Sequence, residues 1–167
     1  EMKGFTMVKI GFYANKNRDK GYAASQELMH YLVDRHCQIC LCEDIQEIHD
    51  RFPKAVACGI GETDFLIVLG GDGTFLRAAR KAALSNTPML GINLGSLGYL
   101  TDVEADDGKE ALDKLLSGDY KLEKRMMLEA SANGKSFLAL NDAYVTSGQG
   151  TSKLLKFSVD INGQRMD

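Results

Sequence analysis

Features typical of a membrane protein or a nucleic-acid-binding protein are missing from this sequence. No apolar run approaches the roughly 20 residues that a membrane-spanning helix needs. No run of lysine and arginine indicates a membrane surface, and the net charge of −3 at pH 7 argues against broad nucleic-acid binding. Internal repeats and low-complexity tracts are absent too. We therefore expect a globular protein that has neither a nucleic acid nor a membrane as a partner.

Cysteine pairs of the kind that bind zinc are also scarce. The chain has four cysteines, Cys37, Cys40, Cys42 and Cys58. Only one Cys-x-x-Cys spacing occurs, with no second pair at a matching distance, although His36 and His49 keep a zinc interpretation open. In an apolar strand a cysteine usually behaves as a small buried hydrophobe. We predict that the thiols fit a reducing compartment and bind no structural metal.

The most informative stretch is residues 64–80, DFLIVLGGDGTFLRAAR. Residues 65–69 are an unbroken apolar run rich in branched side chains, which predicts a strand buried on both faces. Three glycines and Asp72 follow, and from Thr74 the apolar spacing becomes helical. A strand that turns on glycines into a helix places backbone N–H groups and the positive end of a helix in one pocket. This arrangement predicts a phosphate site.

Asp72 is the unexpected residue of that loop, because a carboxylate repels phosphate. It fits if the site also carries a divalent cation, or if the carboxylate takes a proton from a hydroxyl during phosphoryl transfer. The alternative is that Gly-Asp-Gly is only a turn, in which Asp72 caps the following helix.

Strands and helices alternate through the first two thirds of the chain. We predict strands over residues 7–14, 37–42, 65–69 and 88–93, and helices over residues 21–36, from Thr74 onward and over 106–117. Residues 43–59 stay ambiguous, because Pro53 interrupts their helical spacing. The alternation predicts an α/β fold with a doubly wound, mainly parallel sheet. The glycine-rich stretch 70–73 follows one strand, and the strand at 88–93 ends in a second glycine-rich stretch, 91–99, so both lie at carboxyl ends of strands, where such sheets bind ligands.

The character of the chain changes after Gly118. Residues 120–132, 135–146 and 153–161 read as strands without helices between them, and Asn133-Gly134 and Asn162-Gly163 are hairpin turns. We expect an α/β nucleotide-binding domain over residues 1–118 and the first strands of a β-rich domain over residues 119–167. Only residues 164–167 follow the second turn, so we expect its return strand to be missing and the β domain to continue in a longer natural protein.

Three motifs together resemble those of the NAD kinases: GGDGTFLRAAR at 70–80, GINLGSLGYLTDVE at 91–104 and LND at 140–142. GGDG alone also occurs in diacylglycerol, sphingosine and phosphofructo-kinases, and the second motif makes the NAD kinases the specific match. The resemblance implies transfer of a phosphoryl group from ATP or polyphosphate to the adenosine 2′-hydroxyl of NAD, with Mg²⁺ assisting. It also implies a cytoplasmic enzyme, with NAD and ATP as small-molecule substrates and a homo-oligomer at full length.

The resemblance assigns roles to residues of the first motif. Asp72 would be the base that deprotonates the 2′-hydroxyl. Gly71 and Gly73 would let phosphates approach the backbone, and Arg77, one turn into the helix, would lie beside the dinucleotide.

The resemblance also implies a nucleoside site. Tyr99 would lie near the adenine, and Asn141 and Asp142 would hydrogen-bond ribose and adenine. Independently of any family, an amide and a carboxylate on a β edge suit a base edge and a diol. The alternative for this pair is a bulge or a turn at a strand end.

Two other functions stay open on the sequence alone. A lipid kinase of the related superfamily would need an apolar surface for an acyl chain, and a dinucleotide-binding regulator would bind without turnover. If the NAD kinase interpretation holds, the rest of the nucleotide site lies beyond residue 167, and we expect this segment alone to be inactive.

Overall fold

Six short strands lie side by side in one sheet, and every neighbouring pair is parallel. The computed structural model describes residues 7–95, 98–145 and 156–166. The strands in chain order are β1 Lys9–Ala14, β2 Gln38–Leu41, β3 Val56–Ala57, β4 Phe65–Gly70, β5 Met89–Asn93 and β6 Val103–Glu104. Their order across the sheet is β3-β2-β1-β4-β5-β6. The sheet is therefore doubly wound, as predicted, with its switch point between β1 and β4.

Among the described residues, three α-helices accompany the sheet: α1 Ala23–Val33, α2 Asp72–Ala82 and α3 Gly108–Ser117. Short 3₁₀ segments span Lys20–Tyr22, Glu43–Arg51, Ile60–Glu62 and Ala105–Asp107. The segment Glu43–Arg51 resolves the ambiguous stretch, because its apolar residues Ile45 and Ile48 are buried in the core and it ends before Pro53. None of the described helices combines the length and the apolar character that a membrane crossing requires.

Helices cover both faces of the sheet. One face carries α1, α3 and the segment Glu43–Arg51, which bury a core that includes Ile10, Phe12, Leu28, Leu32, Ile39, Leu41, Ile67 and Leu112. On the other face α2 packs through Ala78 and Ala82 against a cluster that includes Leu66 and Val68. Successive residues of β4 therefore pack into the cores on opposite faces of the sheet, as in a strand buried on both faces.

In the part of the chain that the structure describes, two antiparallel hairpins follow the parallel sheet. They pair β7 Leu128–Ala132 with β8 Lys135–Ala139, and β9 Val159–Ile161 with β10 Gln164–Met166. In the turns, Asn133, Gly134, Asn162 and Gly163 have positive φ values of 51°, 72°, 53° and 80°. Paired positive φ angles are what a type I′ hairpin turn requires, so both predicted turns are confirmed.

The predicted strand lengths in this region are wrong. Residues 120–127 and 140–145 join no described sheet, because a strand needs a partner and these have none in the described part of the chain. Residues 146 and 153–155 of the predicted strands lie outside the described residues. The return strand of the second hairpin, which we expected to be missing, is present as β10.

Candidate functional site

A cavity of about 350 Å³ opens at the switch point, beyond the carboxyl ends of β1, β4 and β5. Ligands of doubly wound sheets bind at this position. The loops after these strands line it with Asn15, Arg18, Gly71, Asp72, Gly73, Thr74, Arg77, Asn93, Gly95 and Gly98. None of these lining residues carries an apolar side chain larger than a methyl group, so the cavity suits a polar ligand.

The loop after β4 turns sharply from strand to helix. β4 ends at Gly70 and α2 begins at Asp72, two residues earlier than the predicted start at Thr74. A Cβ at position 70 would lie 2.5 Å from Oγ1 of Thr74, so glycine is needed there. The N-terminal end of α2, whose first N–H groups lack intrahelical partners, therefore borders the cavity at Gly71 and Gly73. Such an end binds anions.

Asp72 holds the second glycine-rich loop. Its Oδ2 accepts a hydrogen bond from the backbone N–H of Tyr99 at 2.8 Å. Its Oδ1 accepts one from the N–H of Leu100 at 3.1 Å and one from the hydroxyl of Thr101 at 3.3 Å. A Cβ at Gly98 would overlap the carboxylate, so only glycine lets the loop pass this closely. The first loop therefore positions the second through one side chain.

The same hydrogen bonds keep Asp72 charged. The N–H of Tyr99 lowers the pKa of the carboxyl most, burial opposes this by raising it, and Leu100 and Thr101 lower it further. The carboxylate makes no capping hydrogen bond to α2, whose N-cap is Gly71. The alternative interpretation of Asp72 as a helix cap is therefore wrong.

Two guanidinium groups share the cavity lining with Asp72. Arg77 lies on α2, and Arg18 lies on the loop after β1. Neither forms an ion pair within the described residues. The cations outnumber the one carboxylate of the lining, and the N-terminus of α2 adds a further partial positive charge. The cavity therefore attracts anions.

The structure brings together some of the predicted site residues and not others. Those that line the cavity are Gly71, Asp72, Gly73 and Arg77. The side chain of Tyr99 is 92% exposed, and only its backbone reaches Asp72. Asn141 and Asp142 follow β8, are exposed and are not part of the cavity lining.

Comparison with known proteins identifies the family. Residues 10–120 match the family model described as the ATP-NAD kinase N-terminal domain. This chain belongs to the NAD kinase family. The NAD kinase of Moorella thermoacetica is 38% identical over 96% of this chain and 53% of its own length. That of Caldanaerobacter subterraneus subsp. tengcongensis is 35% identical over 96% of this chain and 59% of its own length. The chain thus spans about half the length of the curated relatives it matches.

Two solved structures have the same fold as this NAD kinase family member. Yeast NADH kinase complexed with NADH superposes with a TM-score of 0.60 at 19% identity, over 81% of this chain and 47% of that one. An NAD kinase from Archaeoglobus fulgidus in complex with ATP gives a TM-score of 0.57 at 20% identity, over 80% and 46%. The predicted fold class, a doubly wound sheet followed by β structure, is confirmed.

Several cavity residues were not predicted from the sequence. The Nδ2 of Asn15 donates to Oγ1 of Thr74 at 3.2 Å, and Oδ1 of Asn93 accepts from the N–H of Gly95 at 2.9 Å. Arg18 is the third such residue. Their position in the sequence could have indicated them. Asn15, Arg18 and Asn93 lie at or just beyond the carboxyl ends of β1 and β5, the strands beside β4.

The cysteines divide between the two faces of the sheet. Cys37 packs in the core beneath α1, whereas Cys42 and Cys58 pack on the face that carries α2. Burial raises the pKa of the Cys40 and Cys42 thiols to about 12. Within the described part of the chain, no group of three or more His, Cys, Asp or Glu side chains is arranged to hold a metal ion.

Proposed function

We propose that the protein to which this chain belongs is an NAD kinase, which transfers a phosphoryl group from ATP or polyphosphate to the adenosine 2′-hydroxyl of NAD. The observation that carries the proposal is the cavity at the switch point, which is lined by one ionised carboxylate, two guanidinium groups and a helix N-terminus. Anion-binding groups around a single proton acceptor are what phosphoryl transfer to a hydroxyl requires. The chain's membership of the NAD kinase family supports the choice of substrate.

The phosphates bind at the N-terminus of α2, where Gly71 and Gly73 leave the backbone accessible. Arg77 projects from the same helix and contacts them with its planar fork of donors. In phosphoryl transfer the protein acts mainly by positioning groups and stabilising charge, so these contacts supply most of the protein's contribution to catalysis.

Asp72 accepts the proton of the 2′-hydroxyl. A positioned base of this kind contributes about 10²- to 10⁴-fold to the rate. The hydrogen bonds from Tyr99, Leu100 and Thr101 weaken the basicity of the carboxylate, because they lower its pKa. Proton transfer is therefore faster if substrate binding loosens the loop from Asp72.

The nucleoside of NAD binds beside this loop, with Tyr99 near the adenine and Asn141 and Asp142 hydrogen-bonding ribose and base. Support comes from β8, which approaches α2 and delivers Asn141 and Asp142 just beyond its end. The exposure of these side chains in the described structure means that the proposal requires a further surface to enclose the nucleoside.

A divalent cation fits the site only together with its substrate. Mg²⁺ commonly binds through one or two carboxylates plus substrate phosphates and water. Among the described residues of the cavity lining Asp72 is the one carboxylate, so it could supply a single ligand to an ion that arrives on the phosphates. When bound, Mg²⁺ would neutralise phosphate charge.

The proposal extends to the organisation of the whole protein. Residues 1–118 are its α/β nucleotide-binding domain, and residues 119–167 are the first strands of its β-rich domain. The protein works in the cytoplasm as a homo-oligomer. The four free cysteines are consistent with a reducing compartment.

The test is a coupled assay for NADP on the full-length protein, with NAD and either ATP or polyphosphate. NADP formation that requires both substrates supports the proposal. Binding of NAD without turnover would identify a regulator instead. Phosphorylation of diacylglycerol or sphingosine would identify a lipid kinase, although none of the described lining residues has a large apolar side chain that would suit an acyl chain.

A further inference from the structure

Arg18 is held at the rim of the cavity by its neighbours in the chain. The backbone oxygen of Asn15 accepts hydrogen bonds from the N–H groups of Arg18 at 2.9 Å and of Asp19 at 2.8 Å. The carboxylate of Asp19, which is 3% exposed, is engaged at the start of α1, where it accepts bonds from the N–H groups of Ala24 and Ser25. The turn that carries Arg18 is thus fixed on both sides, and Asp19 bonds to α1 and is not part of the cavity lining.

The guanidinium of Arg18 reaches from the β1 loop to the β5 loop. A Cβ at position 95 would lie 2.8 Å from Nη1 of Arg18, so the guanidinium lies against Gly95. A larger residue at 95 would displace it. Position 95 therefore keeps open the place that the guanidinium occupies.

No carboxylate of the described residues pairs with Arg18. Asp72, the one carboxylate of the cavity lining, already accepts hydrogen bonds from the second loop. Arg77 lies on the lining from helix α2, so two guanidinium groups approach one cavity from a loop and a helix. A planar fork of donors without an acidic partner is suited to bidentate contacts with phosphate oxygens.

We propose that Arg18 is a phosphate-binding residue that, with Arg77 and the N-terminus of α2, forms a subsite for an oligophosphate group. The inference rests on the proposed function and adds a residue and a ligand class to it. The oligophosphate is either the diphosphate of the dinucleotide or the phosphate chain of the donor, which share the chemistry that the guanidinium recognises.

The experiment measures the binding of tripolyphosphate, NAD and ATP to the chain by calorimetry, for the wild type and Arg18→Ala. Because a hydrogen bond to a charged group is lost, affinity for tripolyphosphate should fall roughly ten- to a hundredfold. Arg18→Lys should recover part of the loss, because it keeps the charge without the planar fork. Lys20→Ala is the matched control: Lys20 is an exposed cation on the same turn but not part of the cavity lining, and its loss should leave affinity unchanged.

Gly95→Ala tests the role of Arg18 independently, because the added methyl group would displace the guanidinium of Arg18. This variant should therefore weaken tripolyphosphate binding as well. A larger effect on NAD than on ATP would assign the subsite to the dinucleotide, and the reverse to the donor; either supports the inference. Equal losses in Arg18→Ala and Lys20→Ala, no loss in Arg18→Ala, or no phosphate binding by the wild type would each overturn it. Wild-type binding through Arg18 without any NADP formation by the full-length protein would overturn the proposed function alone.

Discussion

At the scale of single residues, the hydrogen bonds that Asp72 accepts have two opposing effects on its role as a base. The N–H and O–H donors of residues 99–101 stabilise its anion and so make it a weaker base. The same contacts place it at the cavity beside the N-terminus of α2. We propose that the loop keeps the carboxylate in its charged form, and that the substrate hydroxyl competes with the N–H and O–H donors of the loop for a hydrogen bond to that carboxylate.

Gly98→Ala should separate the loop from the carboxylate. Its methyl group would overlap Asp72, so the hydrogen bonds from Tyr99 and Leu100 should lengthen or break. The pKa of Asp72, read from the NMR titration of its side-chain carboxyl carbon, should then rise toward the ordinary aspartate value. Gly73→Ala is the control, because a Cβ at position 73 meets nothing within 4 Å, and it should leave that pKa in place. An unchanged pKa in Gly98→Ala would mean that the loop does not set the charge of Asp72.

The loop should also open in acid. Because the pKa of Asp72 is lower in the folded protein than its ordinary value of 3.8, its charged form stabilises the fold above that value. This stabilisation should decline as the pH falls below 3.8 and vanish below the lowered pKa. We expect the hydrogen-exchange protection of the Tyr99 and Leu100 amides to be lost in this range. Protection that is independent of pH, or that is lost on raising the pH, would contradict the assignment.

At the scale of elements, β2 and the residue that follows it bury two of the thiols for which the sequence leaves a zinc interpretation open. Cys40 and Cys42 are each about 1% exposed, and burial raises the pKa of both thiols to about 12. At pH 8 a thiol of that pKa is roughly one part in 10⁴ thiolate, the form that reacts.

We therefore predict that iodoacetamide at pH 8 leaves Cys40 and Cys42 unmodified in the native protein and labels all four cysteines after denaturation. Peptide mass spectrometry reads the outcome at each position. Native labelling of Cys40 as fast as a free thiol would show that β2 is not buried as described.

Local signals in the sequence were sufficient to predict the first glycine-rich loop, but not its contact with the second glycine-rich loop. The apolar run at 65–69 and the glycines after it predict a strand, a turn and a helix from neighbouring residues, and the structure has all three. The contact between Asp72 and Tyr99 joins residues 27 positions apart, which no local pattern encodes. Arg18 was overlooked for the same reason, because it lies in a polar turn whose relation to α2 only the sheet order defines.

The predicted lengths of the strands after residue 118 are wrong for a related physical reason. An extended apolar pattern at 120–127 is compatible with a strand, but a strand forms only where another chain segment supplies hydrogen bonds. Side chains of the two hairpins, such as Phe137 and Ile161, are more than half exposed. Hairpins of this kind depend on neighbours for stability, and the pattern of one segment does not reveal them.

At the scale of the whole molecule, the cavity is built from described residues but the nucleoside site is not enclosed. Tyr99, Asn141 and Asp142 are all exposed. We predict that the 167-residue chain forms little or no NADP, although its α/β part folds and binds phosphate. A side-by-side assay with the full-length protein checks this. Comparable turnover by the two would mean that the cavity alone is a complete active site.

NADP formation by the full-length Asp72→Asn variant tests directly whether Asp72 accepts a proton in a phosphate-binding cavity. The amide cannot take the hydroxyl proton, and it also replaces one acceptor of the loop with a donor. Thr101→Val serves as the control, because it removes one loop contact and keeps the carboxylate. We predict that Asp72→Asn still binds NAD and loses at least about 10²-fold in turnover, while Thr101→Val loses far less. A loss below about tenfold in Asp72→Asn, or equal losses in both variants, would contradict the role of Asp72 as the base.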